Sequence, residues 1–298
     1  MIYDVTVLTD SRYLDDSQDP YKHNVYFEDK LVVDSLKNLG LKVTRKAWDD
    51  QEFEWSSSRI LVFRTTWDYF DRFEEFSEWL SKVSTICTLV NSKDLIHWNI
   101  DKHYLKDLDK NDVRIPPTEF IEPNTEITLS ELHSKLKWND TVLKPCISGA
   151  ARHTYKLNQD NIEDHEAIFQ ELIKSEAMML QPFQTRIVSE GEISMMVING
   201  KFTHAILKRA KPGEFRVQDD FGGSVHDYKP SQNEIVFAEN AVKACPELPL
   251  YARVDMFTDN DGELAVSELE LIEPELWFRN FPQAAKQLAN AINLKLQS

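Results

Sequence analysis

Residues 251–272 read Tyr251-Ala-Arg-Val-Asp-Met-Phe257, Thr258-Asp-Asn-Asp-Gly262 and Glu263-Leu-Ala-Val-Ser-Glu-Leu-Glu-Leu-Ile272. Two alternating runs flank an Asp-Gly turn, which is a strong signal of a β-hairpin. Since residues two apart in a strand share a face, Arg253 and Asp255 lie together. A turn of two or four residues would place Asp255 opposite Val266, with Glu268 and Glu270 on the same face. A three-residue turn would shift the pairing by one and remove this arrangement.

The opposite face of the predicted hairpin is apolar and indicates a core. Its predicted members are Ala252, Val254, Met256, Ala265, Leu269 and Leu271, with Ser267 as the polar exception.

Three carboxylates on one sheet face, from Asp255, Glu268 and Glu270, repel each other unless a cation lies among them. Oxygen ligands suit a hard ion such as Mg²⁺, or Mn²⁺. Because Mg²⁺ keeps open positions for water and substrate phosphates, the pattern suggests a nucleotide site. From the hairpin alone, the alternative is a solvent-facing strand with ordinary charges.

Size and composition describe a globular chain of 298 residues, long enough for two or three subdomains. No apolar run approaches the length of a membrane-spanning helix. The first residues form a strand pattern without a basic leader, so we expect no signal peptide. The cysteines, Cys87, Cys146 and Cys245, are too far apart for a disulfide framework or a zinc site. They fit a cytoplasmic protein.

The formal net charge of −16 argues against nucleic acid and anionic membrane surfaces as partners. A local exception contains Lys208, Arg209, Lys211 and Arg216, with Glu214 as the acid among them. A basic pocket in an acidic protein suits a small anionic ligand; the alternative is a solvated basic loop.

Strand and helix signals alternate over residues 1–92, which predicts a parallel α/β sheet. Pro116-Pro117 marks a boundary. We predict an α/β (α+β) chain with an N-terminal parallel domain at 1–117, a small central α/β subdomain at 118–183, and a C-terminal antiparallel subdomain with the metal site at 184–298. The predicted helices are Lys30–Leu39, Phe73–Val83, Asn91–Leu108, Leu129–Leu136, Ile162–Lys174, Gln232–Ala244 and Pro282–Leu296.

A loop of small residues follows the predicted strand that ends at Lys144. Ser148 and Gly149 would let backbone N–H groups approach a phosphate closely. A plain β-turn is the alternative, since a single glycine is a weak signal. Lys102, on a predicted helix, would by itself be a surface lysine.

Taken together and in this order, these motifs resemble the ATP-grasp superfamily, closest to its glutathione-synthetase-like branch. That branch includes ribosomal-protein glutamate ligases and the ligase of cycloserine biosynthesis. The resemblance covers nearly the whole chain and implies the ATP-grasp fold. The thirteen-residue step from Asp255 to Glu268 matches the metal-binding hairpin of the family and is the most specific motif.

The resemblance implies a role for each motif at an ATP site. Lys102 and Lys144 would bind ATP phosphates, with Ser148 and Gly149 in a mobile phosphate loop. In the hinge Leu180–Phe183, the backbone at Gln181 and Phe183 would read adenine.

The C-terminal part carries the remaining implied roles. Glu190 or Glu192 would bind ribose; Glu190 is the candidate, and the choice between the two stays open. Lys208 would contact phosphate, while Arg253 and Arg216 would hold the reacting groups. Asp255, Glu268 and Glu270 would bind the metal.

The sequence also departs from the family pattern. Glu270 stands where many relatives have asparagine. Pro182 lacks an N–H, so a hydrogen bond to adenine must come from Phe183 or elsewhere. Segments 44–50, 63–69 and 95–102 resemble the cycloserine-ligase-like group, and we expect their tryptophans mainly in the core.

The resemblance implies an ATP-dependent ligase that joins a small amino-acid-like carboxylate to an amine through an acyl phosphate. The loops Ser148–Arg152 and Pro212–Gly223 would close over the reaction. The alternatives are a nucleotide-binding regulatory or scaffold protein with little turnover, and a kinase that stops at phosphorylation. The sequence leaves open whether the chain forms a homodimer.

Overall fold

This computed structural model describes residues 2–149, 151–211, 213–214 and 222–297. Its N-terminal part is built around a parallel sheet. The strand order of this sheet is β2-β1-β3-β4, and every pairing is parallel, as predicted. The strands are β1 Tyr3–Thr9, β2 Val43–Ala47, β3 Ser58–Thr65 and β4 Thr88–Val90, and the helices are α1 Pro20–Asn38 and α2 Phe73–Val83.

Helix α1 begins ten residues before the predicted start at Lys30. Asp19 caps it by accepting a hydrogen bond from the Lys22 N–H, and Pro20 occupies its first turn. An N-terminal Asp cap and a first-turn proline are strong signals of a helix start. The prediction used the apolar pattern of residues 30–39, which does not include them.

The central part is a second sheet with the strand order β5-β8-β6-β7 and antiparallel pairing throughout. A capping box of Thr128 and Glu131 begins α5. The elements are β5 Glu119–Ile121, α5 Leu129–Leu136, β6 Thr141–Pro145, β7 Tyr155–Leu157, α6 Ile162–Leu172 and β8 Met178–Pro182.

The C-terminal part is an antiparallel sheet with the order β11-β10-β9-β12-β13. Strand β11 and the short helix α7 were not predicted, because neither carries a clear apolar period. The elements are α7 Thr185–Glu190, β9 Glu192–Ile198, β10 Lys201–Arg209, β11 Ser224–Tyr228, α8 Gln232–Lys243, β12 Tyr251–Thr258 and β13 Leu264–Glu270.

Packing joins these parts across the predicted domain boundaries. Helices α3 (Lys93–Ile100) and α4 (Tyr104–Lys110) share an apolar cluster with the C-terminal sheet. The last helix, α9 (Pro282–Gln297), packs against α1 and shares a cluster with the N-terminal strands. The boundaries at 117 and 183 therefore remain predictions.

Two buried asparagines fix the last hairpin against the preceding segment. The Asn91 amide donates to the carbonyls of Tyr251 and Leu271, and the Asn99 amide donates to the Leu269 carbonyl. These bonds satisfy backbone groups inside the core and hold β12 and β13 in place. No described helix is long and apolar enough to cross a lipid bilayer.

Candidate active site

The final hairpin brings its acids together through a β-bulge. Five residues, Asp259–Glu263, separate the strands, and regular pairing across this odd number would leave Asp255 and Glu268 on opposite faces. The register instead shifts by one, so that Asp255 lies directly opposite Glu268. Ser267 is the unpaired residue, and Glu270 shares the face of Asp255.

The bulge corrects two details of the predicted hairpin. Val266 does not face Asp255: it pairs with Met256 and is fully buried in the core. Ser267 leaves the apolar face, and its hydroxyl donates to Glu192 at 2.7 Å. The predicted shared face of the three acids is present, but the bulge produces it rather than the length of the turn.

Asp255 is the most enclosed acid of the site, with 2% of its surface exposed. Its Oδ2 accepts from Arg253 Nη2 at 2.8 Å and from Lys208 Nζ at 3.0 Å, and its Oδ1 accepts from Ser194 Oγ at 2.5 Å. Burial alone raises the pKa of Asp255, but the charges of Arg253 and Lys208 outweigh it and hold the pKa below its usual range. Asp255 is therefore ionised and already paired.

Glu268 and Glu270 are more open and differ in charge state. Lys102 Nζ lies 3.1 Å from Glu268, while Arg253 pairs with Glu270. Against the effect of burial, Lys102 and Lys144 lower the pKa of Glu268. Burial, only partly opposed by Arg253, raises the pKa of Glu270 to about 7. The free site thus carries less negative charge than three ionised acids would.

The predicted metal ligands are arranged around protein cations rather than around a preformed cage. Among the described residues, a group with all ligand atoms within 4.8 Å of one another is formed by Asp101, His103 and Cys146, and not by the predicted triad. Burial raises the pKa of the Cys146 thiol to about 12, which makes it a poor metal ligand. The triad offers only oxygen donors, which is the ligand type that Mg²⁺ prefers. Lys102 and Arg253 pair with two of these acids.

Two lysines reach the same cavity from different parts of the chain. Lys102 was predicted to lie on a helix, but it lies between α3 and α4. Its Nζ donates to the Ser148 carbonyl at 2.7 Å. Lys144 lies on β6, and burial lowers its pKa. No acid of the described residues lies within ion-pair distance of Lys144. An anion in the cavity would therefore relieve its buried charge.

The predicted phosphate loop lies against the N-terminal part. The Ser148 hydroxyl donates to the Arg152 carbonyl at 3.1 Å, and Arg152 pairs with Glu176. A Cβ at Gly149 would come within 2.6 Å of the Phe70 ring. Glycine at this position permits the close approach, whereas the motion of the loop stays a prediction.

The hinge bears on the predicted adenine contact, which stays a prediction. The Phe183 N–H already donates to the Asp140 carbonyl at 2.8 Å, so it is not available to the base. The side chain of Gln181 donates to Thr118 Oγ1. Gln184, the next residue after the hinge, also lines the cavity.

Of the two acids considered for ribose, the structure brings Glu192 to the cavity. Glu192 accepts from Lys208 Nζ at 2.6 Å and lines the wall. Glu190 ends α7, pairs with Arg186 and is absent from the wall that the described residues form. The position of Glu190 therefore does not support it as the candidate.

Most predicted site residues line the same cavity of about 510 Å³. Arg216 and most of the segment Pro212–Gly223 lie outside the described residues. The predicted residues on the cavity wall are Lys102, Lys144, Ser148, Gly149, Gln181, Phe183, Lys208, Arg253, Asp255, Glu268 and Glu270.

The cavity continues into a region that sequence reasoning did not select. Trp67 was expected in the core, but it lines this region, and its Nε1 donates to the Glu273 carbonyl at 2.8 Å. Trp48 is fully buried, as expected. Glu273 and Trp277 follow directly after the strand that carries the predicted metal ligands. The sequence signal that could have identified them was their position just after the strand that carries Glu268 and Glu270.

Comparison with known proteins finds a family match in the N-terminal part and a relative that aligns over most of the chain. Residues 5–91 match the family described as D-cycloserine synthetase DcsG, N-terminal domain. The cycloserine biosynthesis protein DcsG of Streptomyces lavendulae is 26% identical over 279 residues, which cover 89% of this chain and 93% of that protein.

Solved structures show the same fold over nearly the whole chain. The crystal structure of D-cycloserine synthetase DcsG aligns with a TM-score of 0.84 and 23% identity, covering 98% of this chain and 99% of that one. The D-alanine–D-alanine ligase of Bacillus anthracis aligns with a TM-score of 0.67 and 13% identity, covering 99% and 97%. Several further neighbours are ATP-grasp ligases, so the predicted ATP-grasp fold is confirmed.

Proposed function

Since this chain is an enzyme with the ATP-grasp fold and its relatives are ligases, we propose that it joins a carboxylate to an amine at the expense of ATP. The acid would be a small amino-acid-like molecule, activated as an acyl phosphate, and the products would include ADP and phosphate. One observation carries the proposal: three lysines and three acids from separate parts of the chain converge on one cavity.

The lysines are suited to hold the triphosphate between the central and C-terminal sheets. Lys144 has no acid partner among the described residues, and Lys102 and Lys208 have partners that a metal or a phosphate can replace. Charge-assisted hydrogen bonds to phosphate are short and strong. ATP would therefore be held mainly by charge.

The adenosine end of ATP would lie at the hinge. Because the Phe183 N–H is engaged, we assign adenine recognition to the backbone of Pro182 and Gln184, two residues of the cavity wall. The Pro182 carbonyl accepts from Gln184 Nε2 at 3.1 Å and keeps a second lone pair for the base. We assign the ribose to Glu192 rather than Glu190, because Glu192 alone of the two lines the described wall.

Glu268, Glu270 and Asp255 would hold Mg²⁺ or Mn²⁺. When bound, the metal would supply positive charge to offset that of the triphosphate. In its absence, Lys102 and Arg253 keep these carboxylates paired.

Arg253 is built to hold a reacting oxygen. Asp255 binds its guanidinium in a bidentate manner, and the guanidinium lies over the Trp277 ring, 5.3 Å from the centroid. Its Nη1 makes only a long contact of 3.5 Å to the Glu275 carbonyl. A planar, fixed donor of this kind stabilises negative charge as it develops on an acyl oxygen.

The reaction has two balanced steps. A carboxylate oxygen of the substrate attacks the γ-phosphorus of ATP, and ADP leaves. The amine nitrogen then attacks the acyl carbon, phosphate leaves with the substrate oxygen, and the nitrogen loses a proton. Catalysis of this kind depends on positioning and charge neutralisation.

The test is a screen of amino acids and small acids with ATP, Mg²⁺ and an amine, read as ADP release and by mass spectrometry. A substrate labelled with ¹⁸O in its carboxylate should transfer one label to phosphate. Release of AMP and pyrophosphate would contradict the proposed route. ATP binding without acid-dependent turnover would favour a regulatory or scaffold protein. A stable phosphorylated product would favour a kinase.

A further inference from the structure

The cavity extends beyond the predicted metal ligands to an acid that lacks a cation. Glu273 lines this end, and none of the described basic side chains pairs with it. Its neighbours differ: Glu270 pairs with Arg253, and Glu275 pairs with Arg279. The Tyr69 side chain hydrogen-bonds Glu273, and burial raises the pKa of the Glu273 carboxyl to about 8. A cationic group of a ligand would stabilise the charged form of this buried acid.

A second, independent feature of this end is a constrained tryptophan. Trp277 is 3% exposed and lines the same cavity, while its Nε1 is enclosed by protein and has no hydrogen-bond partner. Buried indole N–H groups usually find one. Trp277 also has a positive φ of 47°, which is uncommon for a bulky residue and points to a functional constraint.

Neighbouring contacts hold Trp277 in this conformation. His204 Nε2 contacts the Leu276 carbonyl at 2.7 Å on one side. Glu28 accepts hydrogen bonds from the N–H groups of Phe278 and Arg279 on the other. The orientation of the indole is thus fixed by groups on both flanks, beside the Arg253 guanidinium.

Aromatic rings from the N-terminal part form the remaining wall. The rings of Tyr13 and Trp67 meet edge-on with their centroids 5.6 Å apart, and both line the cavity. The Trp67 Nε1 donates to the Glu273 carbonyl, so this wall is attached to the segment that carries the unpaired acid. A rigid aromatic wall favours a flat apolar group.

We propose that this end of the cavity binds the acid substrate as an α-amino acid with an aromatic side chain. Glu273 accepts hydrogen bonds from its ammonium group, Arg253 donates to its carboxylate, and the rings of Tyr13, Trp67 and Trp277 form the wall around its side chain. The inference rests on the proposed ligase function and names the substrate class of that site.

Calorimetry on the full chain with Mg²⁺ and a nonhydrolysable ATP analogue tests the assignment without turnover. The probes are both enantiomers of phenylalanine, alanine, and 3-phenylpropionate, which lacks the ammonium group. One enantiomer of phenylalanine should bind at least about tenfold more tightly than alanine and 3-phenylpropionate, because each lacks one recognised group. Equal or absent binding of the probes would overturn the assignment.

Two variants separate recognition from structural support. Glu273→Gln should weaken phenylalanine binding by at least about tenfold, and 3-phenylpropionate binding by less than about threefold. Trp67→Ala removes part of the aromatic wall and should weaken the binding of phenylalanine and of 3-phenylpropionate alike, because the two ligands share the ring. Glu126→Gln, at an exposed position, is the matched control. Equal losses for both ligands in Glu273→Gln would refute the ammonium contact.

Failure of this inference can be told apart from failure of the ligase function. Selective phenylalanine binding without any ADP release would contradict the ligase function and leave the amino-acid site standing. ADP release that depends only on acids without an ammonium group would support the ligase function and overturn this site.

Discussion

The Lys102 ammonium group lies 3.1 Å from the Glu268 carboxylate, so a predicted phosphate ligand is paired with a predicted metal ligand. The same ammonium donates to the Ser148 carbonyl in the predicted phosphate loop. Binding of a metal and a triphosphate would therefore exchange one set of ion pairs for another.

Glu268→Gln should reduce acid-dependent ADP release by at least about 100-fold, since one mispositioned or missing charge contact at the transition state costs about this factor. Stability should change little, because 34% of the side chain is exposed and such ion pairs contribute about 0–1 kcal/mol. The measurements are steady-state kinetics and thermal unfolding. Glu263→Gln, in the exposed turn of the same hairpin, should behave as wild type. Full activity in Glu268→Gln would contradict the assignment of Glu268 as a metal ligand.

Lys144→Met should weaken ATP binding by about 1.5–3 kcal/mol for each charge-assisted contact that is lost. The stability of the free protein should rise or stay equal, because burial lowers the pKa of this unpaired lysine. The cost in stability is complete at pH values below the folded pKa, and it disappears as the pH rises from there to the ordinary value of 10.5. Calorimetry with ATP and denaturant unfolding are the measurements. Unchanged ATP affinity would contradict the phosphate contact.

Asp255→Asn should destabilise the fold by about 3–5 kcal/mol, because it leaves the buried Arg253 and Lys208 without their shared partner. This differs from the simple expectation that loss of a metal ligand leaves the fold intact. Ser194→Ala, which removes one hydrogen bond to the same carboxylate, should cost about 1 kcal/mol. Urea unfolding compares the two, and equal costs would count against the ion-pair network.

Gly149→Ala should displace the Phe70 ring, because the added Cβ would come within 2.6 Å of two ring atoms. We expect faster hydrogen exchange in Ser148–Arg152 and slower turnover. Phe70→Ala in the same chain should restore part of the turnover by opening space. The double variant serves as the control, and additive losses would show that the two residues do not act through contact.

Stability should fall on acidification partly because of His204. Burial lowers the pKa of His204 from 6.5 to about 4, and 5% of its surface is exposed. Its contribution is complete above pH 6.5 and is lost as the pH falls toward 4, by up to about 3 kcal/mol. His204→Gln should show a shallower decline over this window in pH-dependent urea unfolding. Parallel profiles for the two proteins would refute the assignment.

Local patterns predicted much of the architecture. Helices α2 and α5 have the predicted ends, and the parallel sheet follows from alternating strand and helix signals. These features depend on residues close together in sequence, through apolar period, capping and turn chemistry. The motifs at Lys144 and at Asp255–Glu270 were found for the same reason.

Other features depend on groups that meet only in the folded chain. The Phe183 N–H is taken by Asp140, and Glu192 rather than Glu190 reaches the cavity. The importance of Glu273 and Trp277 is visible only from the absence of a described cation beside Glu273 and from the unusual backbone angle of Trp277. A sequence pattern does not show which donors and acceptors remain unsatisfied.

The hairpin at residues 251–272 contains both kinds of information. Alternation and an Asp-Gly turn were enough to predict two strands, an apolar face and a face with three acids, because side-chain direction in a strand is a local property. The pairing of Asp255 with Glu268 was decided by the tertiary structure. A five-residue turn alone would have separated the acids, and a bulge at Ser267 realigned them, with Val266 in the core and Ser267 bonded to Glu192. Register between strands is set by long-range packing and hydrogen bonding, which no local pattern records.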